Sequence, residues 1–420
     1  MMTTHVRRIT TTAELLAVAA DAGVRAIEVA ADLSDLPSFR LSPGQSLTIA
    51  GTPAILRFAE GQDGIQLSAD NQVEGVELRT DANRRAVFND TKIEQLGRFI
   101  LRNLRTTGVV QLLARDQVRG GHVEVENIDI VVADARSYED GPEGYGVEVI
   151  PGAFTLWNQQ ADASVTITAD LVGLSAGRAG APVRGSGIFV SGTGDSGGRL
   201  VVRRLDTGAV YSDGGIPPGT PDRITGGVFV VAGAYVDSVR NRGPVTTYGP
   251  NDMVLDNWGT VDQWIADDKV TSYGPSGIGF VNFGIVNRLQ VNAAIETFGQ
   301  GSRGFNVYSG TVNTAEFERV VTHADGAVGI QISQPVGEIT VRRGIETFGG
   351  TGDSLVKGVV LRLSAIALSI KPGASVRRIT VAGGVMTHGE GVSPFELHGA
   401  VDYLQVTDGF AATGGGFDKI

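Results

Sequence analysis

Val261-Asp262-Gln263-Trp264-Ile265-Ala266-Asp267-Asp268-Lys269-Val270-Thr271-Ser272-Tyr273-Gly274-Pro275-Ser276-Gly277-Ile278-Gly279-Phe280-Val281-Asn282-Phe283-Gly284-Ile285 is one period of a pattern that fills the C-terminal half of the chain. A valine opens it. An apolar residue follows three positions on and another two beyond that, which is strand spacing. A second β-branched residue, a Thr or Ser, an aromatic ring and usually a glycine come next. The valines are Val236, Val261, Val286, Val336, Val376 and Val401. The rings are Tyr248, Tyr273, Phe298, His323 and Phe348, each 25 residues after the last. His388 follows after 40, one period plus a 15-residue insertion, and Thr413 falls 25 further on. The coil at Val312 is one residue short. A period of 20–50 residues is the signature of a solenoid.

After each ring the chain passes a Gly/Pro turn into another short strand, as in Gly279-Phe280-Val281-Asn282, Gly304-Phe305-Asn306-Val307 and Gly329-Ile330-Gln331-Ile332. Gly146-Val147-Glu148-Val149, Gly187-Ile188-Phe189-Val190 and Gly227-Val228-Phe229-Val230 repeat the form with longer turns before them. No stretch has the length and 3.6-residue period of a helical repeat. A β-sandwich also spaces strands evenly. It does not keep one residue class in one column over seven coils, and stacked parallel strands do. The expected class is all-β, a parallel β-helix in one domain. Residues 1–44 read as a cap, 45–235 as coils with long loops, and 236–420 as regular coils with an insertion near 354–372.

Composition agrees. The chain has 420 residues, beyond what one globular core needs, but a solenoid coil touches only its neighbours. The 59 glycines supply turns. A net charge of −11 argues against nucleic acid and polyanionic substrates, and a neutral sugar or small molecule fits better. Without cysteine there is neither disulfide nor thiolate metal site, and the histidines lack metal-ligand spacing. No cofactor or metal is expected. The N-terminus has no clear leader and no segment reads as a membrane span, so the expected location is the cytoplasm, with a matured secreted form left open.

Thr11-Thr12-Ala13-Glu14 has capping-box spacing, and Leu15, Val18, Ala19 and Ala22 give the following helix one apolar face up to Gly23. Such a helix covers the open end of a solenoid, which otherwise exposes unpaired strand backbone. The helix, the strand Val24-Arg25-Ala26-Ile27-Glu28-Val29 and then Leu47-Thr48-Ile49-Ala50-Gly51 resemble the start of a right-handed parallel β-helix of the pectate-lyase-like superfamily. The likeness spans nearly the whole chain at the level of fold. Many members of that superfamily act on carbohydrates, so the resemblance implies that class of substrate. It extends to no catalytic motif: Asp267-Asp268 and Thr387-His388-Gly389 suggest polygalacturonase blocks, but the companion blocks are missing. The clustered aspartates of calcium-dependent pectate lyases and the motifs of inulin fructotransferases are not identified either.

The turn after the ring column is short in late coils and long in three early ones, over 137–145, 175–185 and 212–223. In register, those loops share one edge, where solenoid insertions often bind ligands. They carry Glu139, Asp140, Glu143, Asp213 and Asp222, and the next turn carries Asp252. Glycosidic chemistry needs two carboxyl groups about 5–9.5 Å apart. The expected catalytic set is Asp213, Asp222 and Asp252, assisted by Glu139 or Asp140, with Tyr138 beside them; solvated loop acids are the alternative. Trp258, Phe283 and Tyr308 form an outward column that serves either as a sugar platform or as a subunit interface. A homo-oligomer is expected, and a trimer with sites between subunits satisfies both. His323 with Asp325 offers an acid/base pair, or else His323 only fills the ring column. Asn257 and Asn282 read as a structural asparagine ladder.

Three functions compete. The first is a glycoside hydrolase or glycosyl-transferring enzyme using paired carboxylates on a neutral oligosaccharide. The second is a non-catalytic structural or glycan- or partner-binding solenoid. The third is a lyase or isomerase with Tyr138 or His323 as base.

Overall fold

The computed structural model describes residues 6–51, 54–138, 141–356 and 358–416. Each coil has three faces. In the quoted coil these are the strands Thr260–Ala266, Val270–Ser272 and Ile278–Asn282. First-face and second-face strands join one 25-stranded sheet, and third-face strands join a 15-stranded sheet. Nearly all neighbours pair in parallel, one coil to the next, so the chain is a parallel β-helix. In several coils the first two faces are one bent strand, as in Ile285–Thr297 and Thr311–Thr322.

The columns read in the sequence are the register. Val236, Val261, Val286, Val312, Val336, Val376 and Val401 stand one above another. Val312 keeps its column with a one-residue offset that runs through Val291 opposite Phe317, and the pairing shift between Val291 and Ala294 then takes the odd residue back in a bulge, so Val320 sits over Ile295. Val261, Trp264, Ala266, Val270 and Phe280 point inward and are fully buried in a core that runs the length of the helix.

The corner between the second and third faces carries the ring ladder. Tyr248, Tyr273, Phe298, His323, Phe348 and His388 stack with centroids 4.4–5.4 Å apart and planes within 14°. Thr413 ends the ladder with its hydroxyl 3.0 Å from His388 Nδ1. A glycine follows every ring except His323, which precedes Ala324, and five positions of that column are glycine because of close approach. A Cβ on Gly274, Gly299, Gly349, Gly389 or Gly414 would collide with a carbonyl of the preceding coil. Inside the opposite corner Asn257 donates to Asn282 Oδ1 (2.8 Å), and Asn282 donates to Gly284 and Ser309 carbonyls.

The cap forms as its sequence dictates. The helix Thr12–Ala20 has a complete capping box between Thr11 and Glu14, and buries Leu15 and Ala19. Gln45 Nε2 lies under its C-terminal end, near the carbonyls of Val18, Asp21 and Val24 (3.0–3.1 Å). No helix among the described residues is long and apolar enough to cross a membrane.

The insertion is an antiparallel hairpin outside the coil, Thr351–Val356 paired with Val359–Ser364, and the chain re-enters the third face at Leu368–Ile370. The hairpin folds back along the turn edge. Ser354 Oγ donates to Gly301 O (2.9 Å), and the Leu355 amide reaches Ser276 Oγ at 3.4 Å. Val359, Val360 and Leu361 are exposed at the far end.

Candidate functional site on the third face

The outer side of the third face carries one column from Phe88 through Gln111, Thr155, Phe189, Phe229, Asp256, Val281, Asn306 and Gln331 to Ser369 and Glu396. Its lower end, at Gln111 and Thr155, borders a polar cleft. Its middle is apolar and covered. Two cavities lie on either side of the cover.

The cover is the end of the first long loop. Val147–Val149 pairs with the third-face strand Arg223–Val230, Glu148 beside Arg223. Tyr145 then lies over Phe283 (centroids 4.4 Å) and edge-on to Trp258 (5.1 Å), and its hydroxyl donates to Phe283 O (3.3 Å). Trp258 and Tyr308 do leave the core as a column with Phe283, but they are only 5% and 7% exposed, in a second apolar cluster with Phe189, Phe229 and Val149. The open sugar platform expected of these rings is therefore occupied by the protein's own loop.

Of the acids expected to act together, two meet. Asp213 Oδ1 and Asp252 Oδ2 each lie 2.7 Å from where a Cβ on Gly249 would sit. Asp252 is fully buried. It accepts from Thr225 Oγ1 (2.6 Å), Gly249 N (2.7 Å) and Gly214 N (3.1 Å). Burial pushes its carboxyl up to about 6, with the Asp213 charge adding to the rise against those hydrogen bonds. Asp213 pairs with Arg184 and accepts from Gly215 N at 2.8 Å. A Cβ on Gly215 would lie 2.6 Å from Arg136 and 2.7 Å from Arg184, and Arg136 pairs with Asp134 at 2.6 Å. Every oxygen of Asp252 is thus committed to the backbone of the third loop and the next turn. The pair ties two coils together, and it lines neither of the two cavities flanking the cover.

Asp222 is exposed and separate, in a shallow depression with Glu143 and Glu148. Glu139 and Asp140 lie outside the described residues. His323 Nε2 pairs with Glu296 at 2.8 Å inside the ring ladder, and Asp325 instead accepts from Gly350 N (2.6 Å). The His323–Asp325 pair does not form, because His323 turns to the preceding coil and Asp325 to the following one. Tyr138 donates to Asn83 O (3.2 Å), and burial pushes its phenol up to about 12, which leaves it a poor base.

Below the cover, Arg85, Gln111, Leu113, Arg115, Ser137, Tyr138, Pro151, Thr155, Trp157 and Gln159 line a polar cleft of about 340 Å³. Several of its side chains are held by neighbours. Arg85 is held by Asp63 and lies 4.1 Å over Phe88. Trp157 Nε1 donates to Gly192 O (3.0 Å), and Thr155 Oγ1 is bonded to the Gly152 backbone. No carboxylate lines the cleft.

Above the cover, three insertions converge: Tyr145 and Val147 from the first loop, Pro221 from the third, and Leu355 and Gly358 from the hairpin. They roof a cavity of about 70 Å³ whose floor includes Asp256, Met253, Ile278, Val281, Phe283 and Tyr308. Asp256 is fully buried and neither carboxylate oxygen has a hydrogen-bond partner. Burial raises its carboxyl well above the usual range; the Trp258 indole and Asn257 amide lie near enough to oppose this, but outside hydrogen-bond geometry. The sequence signal was an acid between Phe229 and Val281 in an otherwise apolar stretch of column.

Among the described residues, no group of three or more His, Asp or Glu side chains gathers as a metal site. No family model matches the chain. No curated protein and no solved structure matches it either.

Proposed function

We propose that the protein is a glycan-binding β-helix of the pectate-lyase-like kind, holding a neutral oligosaccharide in the cleft around Trp157 without cleaving it. The observation that carries this reading is the lining of the cleft: two amides, two guanidinium groups, three hydroxyls and an indole, with no carboxylate. Such groups recognise sugar hydroxyls, whereas glycosidic cleavage needs an acid and a base or nucleophile at the bond. The volume falls within the ~300–1,000 Å³ of small-molecule sites. The carboxylate pair at Gly249 favours the rival hydrolase reading only through the raised Asp252 carboxyl, and both oxygens of that group already accept from Thr225 Oγ1 and the Gly214 and Gly249 amides. An oligomer joined through Val359, Val360 and Leu361 is compatible with this reading, since the cleft lies at the other end of the cover.

The test is a panel of neutral oligosaccharides, with binding followed by calorimetry and turnover by mass spectrometry. The Gln111→Ala/Gln159→Ala double variant should bind at least about tenfold more weakly with no product formed by either protein. A hydrolysed glycan whose turnover disappears in Asp213→Asn would replace the binding reading with the hydrolase one. Binding unchanged in the double variant would remove the cleft assignment.

A further inference from the structure

We propose that the outer edge of the hairpin strand Val359–Ser364 pairs with the same strand of a second copy of this chain, making a two-fold symmetric dimer. This is independent of what the cleft around Trp157 holds. The hairpin is a two-stranded sheet of its own, joined to neither of the large sheets. Its residue pairs run from Thr351 opposite Ser364 to Val356 opposite Val359 without a shift. One edge of Val359–Ser364 is thus filled by Thr351–Val356. Among the described residues no strand pairs with the other edge. The amides and carbonyls of a strand point alternately to its two sides, so this edge presents a row of open donors and acceptors.

Its side chains add apolar surface. Val359, Val360 and Leu361 are 57%, 64% and 44% exposed, and Arg362 is exposed after them. Successive residues of a strand point to opposite faces, so both faces of this strand stand off the body. Edge strands are ordinarily protected by lysine, proline, a bulge or a covering segment. Val359-Val360-Leu361-Arg362-Leu363-Ser364 has neither proline nor lysine, and its pairing has no bulge. At the first coil the helix Thr12–Ala20 does the covering, and nothing comparable lies over this edge among the described residues.

Charge and symmetry point to a second copy. The segment 351–364 holds one acid, Asp353, and two bases, Lys357 and Arg362, in a chain of net charge −11. Another copy is therefore drawn to this segment while the acidic remainder repels it. Two identical strands lying edge to edge pair antiparallel about a two-fold axis, an isologous contact. Centred on Leu361, that pairing sets Val360 opposite Arg362 and Val359 opposite Leu363 of the second copy, so no like charges stand directly opposite. The contact uses up the edge in both copies and closes at two, which makes the assembly a dimer rather than a trimer.

Beside the edge lies a groove of about 340 Å³ lined in part by Pro218, Pro221, Pro250, Pro275 and Val360. Its proline walls are apolar and rigid, and they offer a seat to side chains that the second copy brings across the edge. The strand and this groove together amount to fewer than the ~20–30 residues a side of a standard interface, so the dimer is a weak one, with a Kd on the order of 10 μM.

The full chain is followed by sedimentation velocity from about 1 to about 200 μM, with hydrogen exchange measured at both ends of that range. A dimer should form as concentration rises. Amides within Val359–Ser364 should then exchange at least about threefold more slowly, while those of Thr260–Ala266 stay unchanged. Val360→Lys places a charge on the edge and should weaken the dimer at least about tenfold, with circular dichroism as in wild type. Arg362→Glu turns the segment net negative and should weaken it about threefold or more, less so at high salt. Ile285→Lys replaces an apolar residue 45% exposed on the first face and is the control, changing the dimer less than about threefold. A chain that stays monomeric to about 200 μM, which would leave the edge to a strand of another protein, overturns the proposal. So does a dimer that both Val360→Lys and Arg362→Glu leave intact, exchange at 359–364 that ignores concentration, or a trimer.

Discussion

Gly299→Ala tests the claim that coil spacing is set at the ring corner. In the structure the backbone carbonyl of Gly274 fills the place a Cβ on Gly299 would take, and Pro275 N lies 2.7 Å from it. Real Cβ atoms essentially never approach closer than 3.0 Å. Neither neighbour is a flexible side chain, so the two coils must part by on the order of 1 Å, against a strand spacing of ~4.8 Å. Two backbone hydrogen bonds join the coils at this corner: Phe298 N to Ser272 O (2.9 Å) and Ser276 N to Gln300 O (2.8 Å). At about 1 kcal/mol each, with an overpacking cost of about 1–3 kcal/mol, the variant should lose roughly 3–5 kcal/mol. Urea unfolding followed by circular dichroism, with hydrogen exchange to locate the change, measures it. Position 324, which holds Ala in the same column, is the built-in control: Ala324→Gly should shift stability by about 1 kcal/mol or less. A Gly299→Ala protein within 1 kcal/mol of wild type, or exchange unaltered in residues 270–302, would refute the steric reasoning.

Removing one ring from the ladder should cost in proportion to its stacks. Phe298, 37% exposed between Tyr273 and His323, should lose about 1–3 kcal/mol on Phe298→Ala, read as a lower urea midpoint at unchanged slope. Asp252 carries a pH signature. Its folded value of about 6 exceeds the ordinary 3.8, so between those values the native state holds more protons than the unfolded chain, and stability drops as pH rises through the window. The loss amounts to about 3 kcal/mol, and the difference in stability between wild type and Asp252→Asn should shrink by that much from about pH 3 to pH 7; a flat difference would show the carboxyl to be unperturbed. Ser354→Ala takes an acceptor from the fully buried Arg303, whose Nη2 donates to it at 3.0 Å. It should cost about 1–3 kcal/mol and speed hydrogen exchange across Thr351–Val356 and Val359–Ser364, while exchange in the Tyr273 coil stays as in wild type.

What could be read from the chain and what could not divide along one physical line. Interactions between equivalent positions of successive coils recur every period, so they leave columns: the valines, the rings with their glycines, and Asn257 over Asn282. Interactions between an insertion and the flank occur once and leave no column. Trp258, Phe283 and Tyr308 therefore read as a bare column, because nothing local to them announces that Tyr145, more than a hundred residues earlier, lies on top. The acids fared the same way. Asp213 and Asp252 belong to successive coils and do converge, yet convergence alone is not a catalytic site: the amides of Gly214 and Gly249 and the hydroxyl of Thr225 occupy the oxygens that chemistry would need. Asp256 has the opposite character. Its column neighbours are Phe229 and Val281, it has no donor of its own, and the loop and hairpin that enclose it arrive from both ends of the molecule. An acid enclosed in this way leaves no trace in any column, so its surroundings appear only once the loop and the hairpin are folded over the third face.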